Sequence, residues 1–173
     1  MKELDRKGIS LAEVLTVITV MGILGLISHW SMQGYLLTAR LENAREMIVT
    51  DIREARYHVI RWGDPYRIDF DPKNGAYIIN GQGSTKLPPG ISFGAAEGVT
   101  GRPTDPYTLP PKDGVTFRGE GTENRAEFLP KCLVVPTGAV YLTNGRETVA
   151  ITVTLNGHTT AWRSLGGSKW IEI

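Results

Sequence analysis

The chain has few of the residues from which disulfides, metal sites and nucleic-acid surfaces are usually built. Its 173 residues include one cysteine, Cys132, so no intrachain disulfide can form, and we expect a small buried residue rather than a reactive thiol. The three histidines lie far apart, and none has a second histidine or a cysteine at the spacing of a zinc site. The formal net charge of +1 provides no general attraction for nucleic acid. We therefore predict no metal and no cofactor.

A catalytic pattern is also lacking. A site could in principle be assembled from His58, Asp69, Asp105, His158 and Ser164, but nothing in their spacing supports one. Residues 81–83 are a lone Gly-Gln-Gly, without the third glycine and the helix that would cradle a phosphate, so we predict a turn there. The sequence therefore predicts a protein that is not an enzyme.

A long apolar run begins close to the N-terminus. Residues 9–30 are apolar or small apart from Glu13 and His29, and 22 helical residues span about 33 Å, enough for a hydrocarbon core of ~30 Å. Lys2, Arg6 and Lys7 precede this run, so the positive-inside rule predicts a cytoplasmic N-terminus. The run is therefore a predicted transmembrane helix, with the rest of the chain exported.

The small residue Gly8 lies before the apolar run, whereas an ordinary secretory signal has its cleavage site after it. Cleavage between Gly8 and Ile9 would retain the apolar segment and create an α-amine four residues before Glu13. That amine could neutralise Glu13 within one helix, or Glu13 of a neighbouring subunit, where the pair would specify register. The alternative is a plain signal anchor whose Glu13 lies near the lipid headgroups.

The segment Lys7-Gly8-Ile9-Ser10-Leu11-Ala12-Glu13 resembles the class III signal of type IV pilins and pseudopilins. The resemblance implies that a prepilin peptidase cleaves after Gly8 and methylates Ile9, and that Glu13 is the assembly glutamate. Two positions depart from the pattern, because the family most often has phenylalanine at the position of Ile9 and major pilins usually have a helix-kinking proline at that of Trp30. Together with the absence of a disulfide loop and of clustered acidic calcium ligands near the C-terminus, Trp30 favours a minor subunit.

Residues 31–62 are predicted to continue the helix in amphipathic form. One helical stripe carries its apolar residues: Leu37, Leu41, Ala44, Ile48, Ile52, Ala55 and Val59. The charged side chains between them are expected to be solvated, and Gly63-Asp64-Pro65 predicts the end of the helix.

Residues 63–173 are predicted to form a globular β-domain. We expect a hairpin from strands 66–70 and 76–79 around a turn at 71–75, and further strands at 91–93, 115–118, 126–129, 133–135, 139–142 and 148–155. Residues 94–114 are rich in glycine and proline, and we expect a long loop that is a contact surface or merely mobile. The predicted fold class is α+β, a long N-terminal helix packed on a small antiparallel β-sandwich.

The whole arrangement is most similar to the H-type minor pseudopilin of type II secretion and to FimT-like minor pilins. The resemblance implies a noncatalytic subunit of a secretion pseudopilus, at or near its tip, held in the cell inner membrane before assembly. Its implied partners are the prepilin peptidase, other pseudopilins and a secreted substrate. The alternatives are a FimT-like minor pilin of a pilus for motility or DNA uptake, and a bitopic membrane-anchored β-domain with no filament role.

Some FimT-like minor pilins resemble DNA receptors in which basic residues near the C-terminus contact phosphates. The corresponding candidates are Arg146, Arg163 and Lys169, with His158, Trp162 and Trp170 nearby in sequence. These residues could form a cationic stacking surface if the strands bring them together, or they could be a solvated rim with tryptophans that only pack.

Overall fold

A computed structural model of the chain describes residues 10–119, 122–130 and 133–173, without the side chains of residues 25–31, 33, 119, 122 and 123. The predicted leader 1–8, the cleavage site at Gly8 and Ile9, and Cys132 lie outside the described residues, as does part of the predicted membrane segment 9–30. The chain divides into two compact units, Met1–Leu36 and Leu37–Ile173.

One helix, α1, extends over Leu11–Trp62. It ends where the sequence predicts, because Gly63 adopts a positive φ of 74° and its N–H donates to the carbonyl of Val59 at 2.9 Å. Within the described part of the chain, we find no helix that is both long enough and apolar enough to cross a membrane.

In its described residues, the unit Leu37–Ile173 contains the second half of α1 and twelve short strands. The strands are β1 (Tyr66–Asp71), β2 (Ala76–Ile79), β3 (Ser84–Lys86), β4 (Ser92–Phe93), β5 (Arg118–Gly119), β6 (Thr122–Glu123), β7 (Arg125–Leu129), β8 (Leu133–Val135), β9 (Gly138–Thr143), β10 (Thr148–Val153), β11 (Thr159–Ser164) and β12 (Trp170–Glu172). They form two antiparallel sheets in the orders β3-β2-β1-β7-β8 and β12-β11-β10-β9-β4, and β5 pairs with β6. The fold is therefore α+β, a helix packed on two five-stranded sheets, as predicted.

The apolar stripe of α1 forms the centre of the core. Its members from Leu41 to Val59 are buried and Leu37 is half-buried, and they pack against apolar side chains of both sheets. Ile68, Phe70 and Phe128 come from the first sheet, and Val140, Leu142, Val149 and Ile151 come from the second. Because this stripe contacts both sheets at once, the second half of α1 is part of the core of the unit Leu37–Ile173, which we call the β-unit, rather than a linker to it.

Most of the predicted strands are confirmed. The hairpin of β1 and β2 turns at 71–75, where the Asp71 carboxylate accepts hydrogen bonds from the backbone and side chain of Asn74 at 3.2 and 2.6 Å. The strand predicted at 115–118 is wrong over most of its length, because Val115 makes only an isolated bridge to Val140 and Arg118 alone belongs to a strand, at the start of β5. The strand predicted at 148–155 ends at Val153, and strands β3, β6, β11 and β12 were not anticipated.

The long loop 94–114 contains no strand, as predicted, and it is hydrogen-bonded to the second sheet. Its bonds run from the Gly94 N–H to the Tyr141 carbonyl (2.9 Å), from the Ala96 N–H to the Thr148 hydroxyl (2.7 Å) and from the Thr100 N–H to the Gly167 carbonyl (2.8 Å). Bonds spread along the loop in this way argue against the alternative of a merely mobile segment.

Candidate functional site

The first described turns of α1 expose an unusual amount of apolar surface. Between residues 11 and 24, nine large apolar side chains are at least 43% exposed, and they extend around the helix rather than along one stripe. They are Leu11, Val14, Leu15, Val17, Ile18, Val20, Met21, Ile23 and Leu24. A helix that is apolar on all sides is normally covered by lipid or by other helices.

The polar groups of this segment are mostly satisfied within the helix itself. The hydroxyls of Thr16 and Thr19 donate to the carbonyls of Ala12 and Leu15, both at 2.8 Å, so neither needs a partner outside the helix. Glu13 lies in the first turn, is exposed, and has no ion-pair partner among the described residues. The surface of this helix segment is therefore apolar on all sides, and its first turn carries one carboxylate that has no ion-pair partner among the described residues.

The three basic candidates near the C-terminus are not equivalent. Arg146 and Lys169 are exposed in the β9–β10 and β11–β12 turns, which the strand register places at the same end of the second sheet. Arg163 lies within β11, one residue before the end of the strand. Its guanidinium forms an ion pair with Glu42 of α1. Arg163 is therefore already neutralised, and of these three candidates Arg146 and Lys169 are the two without an ion-pair partner among the described residues.

The other residues proposed for a stacking surface lie elsewhere or are engaged. His158 lies in the β10–β11 turn at the opposite end of the sheet, about 20 Å away along six residues of strand. The indole of Trp162 donates to the Thr152 hydroxyl at 3.0 Å, and that of Trp170 donates to the Gly101 carbonyl at 3.1 Å. Both rings are half-buried against an apolar cluster that includes Tyr141, so they pack rather than stack on a ligand.

Tyr141, in that cluster, provides a pH-dependent test of the packing. Burial raises the pKa of Tyr141 to about 12, so the folded state resists its ionisation and stability is lost as the pH rises above 10, where the unfolded chain ionises. We expect Tyr141→Phe to remove about 1 kcal/mol of the stability loss between pH 9 and pH 11. Urea unfolding of both proteins at each pH measures it. An identical loss in the variant would contradict the assignment.

The residues considered for catalysis have separate structural partners. Asp69 forms an ion pair with Arg125 across β1 and β7, and the Ser164 hydroxyl accepts from the Gly166 N–H at 3.1 Å. Hydrogen bonds from the Thr108 hydroxyl and the Tyr107 N–H hold the pKa of Asp105 below its usual value. The ring of His58 lies 4.6 Å from that of Tyr66. Among the described residues no cluster of His, Cys, Asp and Glu could hold a metal ion.

A groove between α1 and the β10–β11 turn was not anticipated. It has a volume of about 330 Å³ and is lined by Arg53, Arg56, Tyr57 and Ile60 of the helix and by residues 157–159 of the turn. Sequence reasoning assigned the helix charges to a solvated face, and His158 to the DNA candidates. One feature of the sequence could have indicated this groove. Arg53 and Arg56 are three residues apart, which places two like charges on the same face of the helix.

Comparison of the chain with models of protein families, with curated protein sequences and with solved structures found no significant match. Assignment to a functional class therefore depends on the chain's own residues.

Proposed function

We propose that this protein is a minor pseudopilin, a noncatalytic subunit of a type II secretion pseudopilus. A prepilin peptidase cleaves it between Gly8 and Ile9 and methylates Ile9. The apolar N-terminal segment anchors it in the cell inner membrane, with the β-unit on the periplasmic side, until the subunit is extracted into the filament. Other pseudopilins are its principal partners, and a secreted substrate is a further one.

The observation that carries this proposal is the combination of an all-round apolar helix surface with one free carboxylate, Glu13. Large exposed apolar side chains require a covering of lipid or neighbouring helices. A carboxylate within that covering requires a cation, because an unpaired charge in apolar surroundings costs several kcal/mol. Cleavage after Gly8 would supply one as the new amine of Ile9, in the same chain or in the next subunit.

The test is the intact mass and the N-terminal sequence of the membrane-extracted protein, expressed with and without its cognate prepilin peptidase. We expect a methylated chain that starts at Ile9 only when the peptidase is present. An uncleaved chain in the presence of active peptidase would refute the proposal and would leave the bitopic anchored β-domain as the better description.

The second candidate is a FimT-like minor pilin that binds DNA, and one observation favours it. Arg146 and Lys169 are both exposed on turns at the same end of the second sheet. Two free cations give few phosphate contacts, since affinity for nucleic acid grows with the number of phosphates neutralised. The ion pair of Arg163 with Glu42 removes the third, so we rank this function below the first.

A further inference from the structure

We propose that the groove formed by Arg53, Arg56, Tyr57, Ile60 and residues 157–159 binds an acidic segment of a protein partner, with a carboxylate between the two arginines and His158. We call it the arginine groove. It lies wholly within the unit Leu37–Ile173, so its role does not depend on how the N-terminus is processed or assembled.

The charge of the arginine groove points to an anionic ligand. Its lining includes two arginines and one histidine, and no acidic residue. Arg53 and Arg56 form no ion pair with any described residue, whereas five other arginines each contact a carboxylate: Arg45, Arg67, Arg118, Arg125 and Arg163. Two unpaired like charges three residues apart on a helix repel each other, and a bound carboxylate relieves that repulsion.

The walls of the arginine groove are rigid enough to hold a ligand. Gly157 adopts a positive φ of 68°, and a Cβ at this position would lie 3.4 Å from the Cδ of Arg56, so the turn backbone passes close to the arginine stem. The turn itself is fixed by hydrogen bonds from the Gly157 N–H to the Thr154 carbonyl at 2.9 Å and from the Thr154 N–H to the His158 carbonyl at 3.0 Å. A preorganised site loses less entropy when it binds.

The apolar part of the arginine groove indicates a peptide rather than a nucleic acid. Tyr57 is 71% exposed and Ile60 is 56% exposed, and side chains of this kind anchor apolar residues of a protein partner. Glu54 and Asp51 lie close by on the same helix, and their charges add to burial, the larger cause, in raising the pKa of Tyr66. Such neighbours repel a long polyanion more than a short acidic segment, which favours the peptide.

The probe is a fluorescein-labelled octapeptide, Gly-Glu-Ser-Glu-Leu-Glu-Ser-Glu, with a matched peptide in which lysine replaces glutamate. Fluorescence anisotropy with the full chain in detergent, against micelles alone, measures binding at low and at physiological salt. We expect the glutamate peptide to bind at least about tenfold more tightly than the lysine peptide, and binding to weaken as salt screens the charges.

The double variant Arg53→Glu and Arg56→Glu should lower affinity for the glutamate peptide by at least about tenfold, a loss of about 1.4 kcal/mol. The matched control is Arg146→Glu with Lys169→Glu, which reverses the same charge at the other end of the sheet and should leave binding unchanged. Both variants alter exposed residues, so both should fold, and far-UV circular dichroism verifies this.

Three results would overturn the proposal. The first is no difference between the two peptides, and the second is binding lost in the control variant but retained in the arginine variant. The third is displacement of the peptide by a single-stranded decathymidylate that binds the same arginines more tightly, which would assign the arginine groove to nucleic acid.

Discussion

Replacing Glu13 by alanine is expected to lower incorporation of the subunit into filaments by at least about tenfold while cleavage and folding stay intact. Glu13 is exposed in the first turn of α1, outside the core of the β-unit, so its removal should not affect that core. In the proposed filament, the Glu13 carboxylate would neutralise the Ile9 amine. Loss of one partner from a desolvated ion pair costs several kcal/mol. The ratio of this subunit to the other subunits in sheared filaments measures the effect.

The matched control for Glu13 is Glu46→Ala, which removes an exposed glutamate from the second half of the same helix. It should assemble as the native protein does, because Glu46 has only a weak contact with Arg45, at 3.4 Å. Glu13→Asp should give an intermediate level, since it keeps the charge but shortens its reach. Native-level incorporation of Glu13→Ala would rule out a role for this carboxylate in register.

Truncating Ile48 to alanine should destabilise the β-unit by about 2 to 5 kcal/mol. Ile48 is 1% exposed and belongs to the cluster in which α1 meets both sheets, so the deletion leaves a cavity that rigid strands cannot easily close. Urea unfolding followed by tryptophan fluorescence measures the loss.

Ile60→Ala provides the comparison for Ile48, because it makes the same substitution on the same helix at a side chain that is 56% exposed. Helix propensity changes equally in the two variants, so the difference between them reports burial alone. We expect Ile60→Ala to alter stability by less than about 0.5 kcal/mol. Equal losses in the two variants would mean that the stripe of α1 does not organise the core.

The sequence predicts the helix and the first hairpin well because their signals are local. The stripe from Leu37 to Val59 repeats at helical spacing, and the 71–75 turn is marked by Asp71, Asn74 and Gly75. Strand β11 was missed because Ala161 is its only buried residue, so it has almost no apolar alternation. Residues 115–118 have that alternation, yet Val115 makes only an isolated bridge to the edge of β9 beyond β4, and Arg118 pairs with β6 instead.

The candidate sites show the same division between local and long-range information. Glu13 follows from a short motif, and the Ile9 amine that we propose as its partner lies outside the described residues. The arginine groove combines helix residues with a turn about 100 positions later, and no single-sequence pattern links them. The pairing of Arg163 with Glu42 is equally distant, which is why a residue predicted to be free proves to be neutralised.

The order of synthesis has a consequence for how the β-unit folds. The ribosome produces the apolar stripe of α1 first, whereas β9 and β10, which cover much of it, follow about 100 residues later. Until those strands emerge, Leu41, Ile48 and Ile52 have only part of their packing surface. The newly made helix therefore exposes an apolar stripe until those strands emerge, and a holding chaperone that covers this stripe would prevent premature aggregation.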